Sequence, residues 1–442
     1  MGSIGGRSET KATVPGDLCI SIGNPGTSTP KGWSWKRLQD VARLESGHTP
    51  SRRKPEYWGG KVPWISTKDA RANHGKIIYD TRENTNRLGL KNSAARILPK
   101  DTVCLSRTAS VGYVLLMGEE MATSQDFANW VCGPELNPHY LRYALLGEHR
   151  ALNMFAVGSV HKTIYMPELK AFHVMAPNRA EQDKIVSVLK GLDDKIELNR
   201  RVNATLEAQA QALFRDWFVD FGPTRAKMEG RAPYLPADLW SLFPDTLGGD
   251  GLPKGWQPGQ LEDHCDLVKE KTDPADVEDD LPYIGLEHMP RGSIALTEWG
   301  TASDVDSRKS VFSEGDILFG KLRPYFHKVG LAPVDGICST DILVLRPKNN
   351  ASTLVMSCTS SKEFVDYATA TSTGTKMPRA NWQTLRSYPL PREQFGIVKA
   401  FEAHCSHMLH QIKQNTTESE HLGQTRNYLL PHLMSGEVKF AA

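Results

Sequence analysis

The chain has 442 residues, 39% of them hydrophobic and 24% charged, with a formal net charge of +2. That is material for two cores plus connecting helices; no run of about 18 or more apolar residues occurs, which argues against a membrane span, and the start lacks the apolar stretch of an export signal. Seven scattered cysteines (Cys19, Cys104, Cys132, Cys265, Cys338, Cys358 and Cys405) form no Cys-x-x-Cys pair, so neither a zinc site nor a disulfide framework is suggested and a cytoplasmic setting is expected.

Residues 1–30, rich in Gly, Ser, Thr and Pro, read as a flexible arm. Pro30-Lys31-Gly32-Trp33 then opens a module over 31–178 in which short apolar runs alternate with turns and a helix is expected at 137–150. Over 32–177 twenty Lys and Arg stand against thirteen Asp and Glu, a net +7 suited to a polyanion. From Ile185 a 4-3-4-3 spacing runs through Leu189, Leu192, Ile196, Asn199, Asn203, Leu206, Ala210, Leu213 and Trp217. This predicts one long helix over 179–221 with a sustained a/d seam. At about 1.5 Å per residue such a helix is roughly 55–60 Å long. A linker rich in Pro, Gly and acidic residues follows at 222–252. Its Tyr234-Leu235-Pro236 and Leu239-Trp240-Ser241-Leu242-Phe243-Pro244 carry more apolar bulk than a loose spacer needs, and so read as locally packed or as a partner contact.

Pro253-Lys254-Gly255-Trp256 repeats the opening and starts a second module over 253–391. The echoes keep one order: Val62-Pro63-Trp64-Ile65 with Leu281-Pro282-Tyr283-Ile284, 99–105 with 313–319, Thr123-Ser124-Gln125-Asp126-Phe127 with Cys338-Ser339-Thr340-Asp341-Ile342, and Gly158-Ser159-Val160-His161-Lys162 with Gly374-Thr375-Lys376. Both modules read as mixed α/β, the second with a helix at 358–370. Fifteen cationic side chains stand against nineteen acidic ones over 253–391, a net −4. The acids crowd at Asp273, Asp276, Glu278, Asp279 and Asp280, whereas 376–386 carries Lys376, Arg379 and Arg386 with none, which leaves room for a one-sided basic face.

The seam spacing returns through Phe401, Cys405, Met408, Ile412, Asn415, Ser419, Leu422, Arg426, Leu429 and Leu433, predicting a second long helix over 392–436 before a tail at 437–442. Glu181-Gln182 and Glu393-Gln394 open the two stretches. Two such helices are expected to pair antiparallel as a two-helix coiled coil with pseudo-twofold symmetry, the polar seam residues Asn199, Asn203 and Asn415 fixing register and partner.

No chemistry of its own is legible. Asn137-Pro138-His139-Tyr140 departs from an amino-methyltransferase Asn-Pro-Pro-Tyr tetrad at its third residue and reads as a helix start. No Walker loop and no His-Glu-x-x-His spacing occurs, and no bound cofactor or metal is expected.

The run Thr49-Pro50-Ser51-Arg52-Arg53-Lys54-Pro55-Glu56-Tyr57-Trp58-Gly59-Gly60, followed by Val62 to Asp69, resembles the opening of a target recognition domain of a type I restriction-modification specificity (S) subunit. Ala176-Pro177 before Glu181 to Val186, the stretch Leu213 to Phe221 and Leu429 to Gly436 fit the same family, and the resemblance covers 31–221 and 253–438; the second module lacks the Tyr-Trp-Gly-Gly loop. It implies a non-catalytic subunit. Two recognition domains on an antiparallel helical pair each read half of a bipartite double-stranded DNA target. Two methyltransferase (M) subunits use S-adenosylmethionine to methylate adenine N6, and restriction (R) subunits using ATP and Mg join in some systems. A stand-alone DNA-binding regulator on this scaffold and a protein-binding scaffold are the alternatives.

Phosphates call for cations and hydroxyls, base edges for forked or amide side chains. In the first module the candidates are Arg52, Arg53, Lys54, Tyr57, Trp58, Lys68, Arg71, Arg107, Ser159, His161 and Lys162, the alternative being a solvated basic loop with Tyr57 and Trp58 packed as local core. In the second they are Arg291, Lys321, Arg323, Tyr325, Lys328, Thr375, Lys376 and Arg379, with Arg323-Pro324-Tyr325 equally readable as a strand-end turn.

Overall fold

A computed structural model describes residues 9–158, 162–392, 396–438 and 440. Its contacts divide the chain into two units, 1–193 with 424–442, and 194–423. Both boundaries fall inside the long helices, so each unit owns one end of each helix rather than one helix apiece.

The N-terminal unit is built on a sheet ordered Ala42–Ser46, Phe127–Cys132, Val103–Ser106, Val114–Met117 and Ile77–Ile78. The first four strands pair antiparallel, with Trp130 opposite both Leu44 and Val103. Beside it Trp58–Ile65 pairs in parallel with Ala122–Thr123. A further sheet sets Phe172–Ala176 between Ile20–Ile22 of the arm and Ser34–Arg37. The arm is therefore ordered over 14–22, as two short strands, Val14–Pro15 and Ile20–Ile22, joined by a bend that Glu148, buried completely, holds by accepting the backbone N–H groups of Asp17, Leu18, Cys19 and Ile20 at 2.6–2.9 Å.

The second unit repeats the strand order. Cys265–Leu267, Ile342–Pro347, Ile317–Gly320 and Val329–Leu331 form its antiparallel sheet, with Leu345 opposite both Leu267 and Ile317. Pro282–Ile284 pairs in parallel with Gly336–Cys338. The echoes at 62–65 and 281–284, 99–105 and 313–319, and 123–127 and 338–342 thus fall on equivalent strands or at their ends, whereas 159–161 of the last echo lie outside the described residues. These central strands are near-continuous apolar runs covered on both faces: Val103 to Ser106 and Ile317 to Phe319 are fully or almost fully buried.

The helix expected at 137–150 is two, Pro138–Gly147 and His149–Phe155, parted at Glu148. Asn137 caps the first, accepting from His139 N at 2.8 Å, so the Asn-Pro pair starts a helix as read. The one expected at 358–370 is also two, Ser352–Thr359 and Lys362–Ala370. The first of these lay hidden because Thr353 to Thr359 are all buried, and a helix covered on all sides shows no apolar stripe.

The first long helix runs Arg179–Phe214 and continues as a π turn over Arg215–Val219 before Phe221 takes a left-handed conformation (φ 52°). The second runs Ile397–Met434. Gln182 explains half of the Glu-Gln opening: fully buried, it donates to the carbonyls of Glu135 and Pro177 and accepts from Asn137 N, stitching the helix to its module. Glu393-Gln394 lies outside the described residues.

Every seam position is buried or half-buried, but the seam has several partners. In the N-terminal unit Ile185 and Leu189 pack into the α/β core together with Leu433. In the second unit Leu213, Trp217, Phe401, Cys405 and Ile412 do the same with the other core. Between these regions, within the second unit, the helices run antiparallel and polar. Asn415 Nδ2 donates to Asn203 Oδ1 at 2.8 Å, and Asn199 Nδ2 reaches Glu418 at 2.8 Å and Ser419 at 3.2 Å. Lys195 pairs with Glu418 at 3.1 Å.

The 222–252 linker is packed, not loose. Phe243 is 2% exposed and meets Trp217 edge-on with centroids 5.2 Å apart, while Tyr234 donates to Asp216 at 2.9 Å. Trp217, Phe218, Phe243, Trp256 and Phe401 form one aromatic cluster, which is what the stretch Leu213 to Phe221 is for.

Candidate nucleic-acid interface

In each unit the turn between two central strands meets a later loop through the same hydrogen bonds. In the N-terminal unit Arg107 N donates to Asp126 O, Ile164 N to Arg107 O and Ala109 N to Lys162 O, at 2.8–3.1 Å. In the second, Lys321 N donates to Asp341 O, Ala380 N to Lys321 O and Arg323 N to Pro378 O, at 2.8–2.9 Å. Thr163 bridges Thr108 and Val157 as Arg379 bridges Leu322 and Thr373. Ala109 and Arg323 both take left-handed conformations (φ 62° and 51°), a costly choice for residues with a Cβ that persists where the surroundings enforce it. Equivalent loops thus converge at equivalent places, carrying different side chains.

Around the first convergence stand Arg107 and Lys162; Ser159 and His161 lie outside the described residues. Arg107 is half-buried, donates to Gln125 O at 3.0 Å, and has its guanidinium pulled below its ordinary pKa by burial, against the attraction of Asp126. Its Nε is buried without a partner, a donor left spare. Gln125 also accepts from Thr49, which joins the 49–58 loop to this place.

That loop is more constrained than its basic sequence suggests. The Arg52 guanidinium lies 4.0 Å over Trp58 and 4.8 Å from Trp64, and pairs bidentately with Glu83, whose carboxyl is held below its usual range by that hydrogen bond. Tyr57 is 6% exposed, its ring in the local core, with its hydroxyl 3.2 Å from Lys54 Nζ. Trp58 is half-buried and donates to Ser51 O. Arg53, Lys68 and Arg71 are exposed, the latter two on the short helix Thr67–Ala72.

The second convergence gathers most of its candidates. Arg323 donates to Lys376 O, Arg379 pairs with Asp341 at 3.2 Å, and Arg291 lies 4.0 Å over Phe326. Tyr325 is half exposed on a one-turn helix between the left-handed Arg323 and His327. Thr375 and Lys376 are exposed on their loop. Lys328 turns inward and donates to Leu286 O, and burial with neighbouring Arg291 lowers its pKa. Sequence reading missed Lys269, Asn381, Trp382 and Gln383, which border a cleft beside Lys321 and Arg379. The only signal was that 376–386 lacks acid.

Residues 30–208 match the family model described as type I restriction modification DNA specificity domain. The chain is 26% identical over 428 residues to the type I restriction enzyme MjaIX specificity subunit of Methanocaldococcus jannaschii, covering 93% of this chain and 94% of that one. Along most of its length the chain is thus similar to type I restriction-modification specificity subunits. The HindI specificity subunit of Haemophilus influenzae is 25% identical over 324 residues, 59% of this chain and 68% of its own. A crystal structure of the S subunit of a type I restriction-modification system from M. genitalium shares the fold, with a TM-score of 0.55 and 15% identity over 93% of this chain and 98% of that one. Members of the specificity family select the DNA target and are the non-catalytic components of their complexes. No helix among the described residues is long and apolar enough to cross a membrane.

Proposed function

We propose that each unit reads one half of a bipartite duplex target and that the paired long helices set the gap between the halves. On this reading two adenine-N6 methyltransferase subunits dock on the chain and supply S-adenosylmethionine and the active site. Restriction subunits with ATP and Mg complete the complex where they exist, and the cytoplasm is its place of work. Selection of the target is this chain's share of the work. The observation that carries the reading is the repeated strand order with unlike loops at the same convergence point: a common frame is kept while the reading surface differs. The Asn199, Asn203 and Asn415 contacts support the spacer role, because a polar match in an otherwise apolar seam penalises a slipped register.

The test is reconstitution. Purified chain mixed with a methyltransferase subunit, S-adenosylmethionine and genomic DNA should yield N6-methyladenine at one two-part sequence with a fixed unread gap. If a methyltransferase shown to be loaded and bound to this chain leaves every adenine unmodified, the reading fails.

A further inference from the structure

The cleft beside the second convergence has a volume of about 490 Å³. Its walls combine three kinds of group. Lys269 and Lys321 have no acidic partner among the described residues, whereas Arg379 and Arg386 are paired with Asp341 and Glu262 at 3.2 Å. Trp382 is half-buried and braced against the unit's core, a fixed apolar wall. Two amides, Asn381 and Gln383, flank it in sequence.

These amides are not equivalent. Asn381 Oδ1 accepts the backbone N–H of Gln383 at 3.1 Å, capping the turn Trp382–Leu385, so its acceptor is committed to holding the turn in place. Gln383 is exposed at the cleft, and its own side chain is bound to nothing described, which leaves both its donor and its acceptor for a ligand. An unengaged primary amide can meet the N6 and N7 edge of adenine bidentately, while lysines serve as point charges for phosphate. In the N-terminal unit the bridges that align Thr163 with Arg379 place Tyr165, Met166 and Pro167 where Asn381, Trp382 and Gln383 stand, so the amide belongs to the second unit alone.

Resting on the reading above, we propose that this cleft is the base-reading pocket for the second half-site. Gln383 is its specificity-determining side chain for an adenine, Asn381 is the residue that positions it, and Lys269 and Lys321 hold the flanking phosphates. The lysines contribute affinity without sequence information; Gln383 contributes discrimination at one base pair.

The experiment uses the full chain in complex with its methyltransferase, with methylated genomic DNA sequenced base by base and binding measured on the resulting site. Gln383→Ala should relax one A·T position in the second half-site, cutting discrimination there by about ten- to a hundredfold while the first half-site stays as it was. Lys269→Ala and Lys321→Ala should each weaken binding evenly across sequences and lower the salt slope by about one. Free dAMP as competitor should not displace the DNA, since the pocket acts within a duplex footprint; displacement at modest excess would make it a nucleotide site of another kind and overturn the assignment. If the wild-type complex methylates a two-part site and Gln383→Ala leaves every position of it unchanged, the cleft assignment is wrong and the bipartite reading stands. If the loaded wild-type complex methylates nothing, the broader reading falls first. Gln383 is exposed, so loss of folding should not confuse the result.

Discussion

Glu148 and Ser361 occupy the same place in the two units, just ahead of the second of two consecutive helices, and do different work. Ser361 caps its own helix, accepting from Phe364 N at 3.1 Å. Glu148 reaches away from its helix and gathers four backbone N–H groups of the arm, which lets Ile20–Ile22 extend the sheet beyond Phe172–Ala176. The corresponding strand of the second unit, Pro389–Pro391, pairs with Pro258–Gln260, and its two prolines lack the N–H groups a further strand would need. There the apolar cover comes from the linker, through Leu235, Leu239, Leu242 and Phe243. One frame has been fastened in two ways, so the frame is the shared requirement and the fastening is local.

The largest effect should come from the first fastening. Glu148→Ala leaves four donors without their acceptor. At about 1–3 kcal/mol for each group left unsatisfied and buried, a loss of at least about 3 kcal/mol is expected, visible as lost hydrogen-exchange protection at 17–20. Undiminished protection there would show that the sheet, not the carboxylate, holds the arm.

Asn203→Ala is next. It leaves the Asn415 Nδ2 donor without its acceptor in the helix pair and should cost about 1–3 kcal/mol in urea unfolding. Leu at both 203 and 415 should recover that stability while loosening register, since two matched apolar residues remove the need that one asparagine leaves unmet. Ser361→Ala, the counterpart of the first substitution, should cost only about 1 kcal/mol, a single cap. Equal costs at 148 and 361 would erase the contrast drawn above.

The smallest effect concerns pH. Arg200, and then Arg201, hold the Glu197 carboxyl down to about 2. A depressed folded-state pKa contributes stability above the unfolded value of 4.5 and loses it as pH falls toward 2. The pairs are largely exposed, so Glu197→Gln should lower stability at pH 7 by less than about 1 kcal/mol and abolish that part of the acid slope.

What the sequence disclosed tracks the physics of each part. The long helices and their seams were legible because burial on one face imposes a period, and the module repeat because equivalent strands need equivalent apolar runs. The buried helix Ser352–Thr359 was not, since it shows no stripe. The order of the arm was hidden because its acceptor, Glu148, is about 130 residues away. At the interface, basic loops were visible, but the capture of Arg52 by Glu83 and of Lys328 by Leu286 was not, because a sequence shows a cation and not its partner. Gln383 carries no signal until the turn that presents it is seen.

The most direct test of unlike readers on one frame is an exchange between equivalent segments. Residues 157–170 and 373–386 have equal length and share the bridge pattern at Thr163 and Arg379. In the full complex, replacing 373–386 by the sequence of 157–170 should change the second half of the methylated target and leave the first half and the gap unaltered. A change in the first half, or no change in either, would contradict the account.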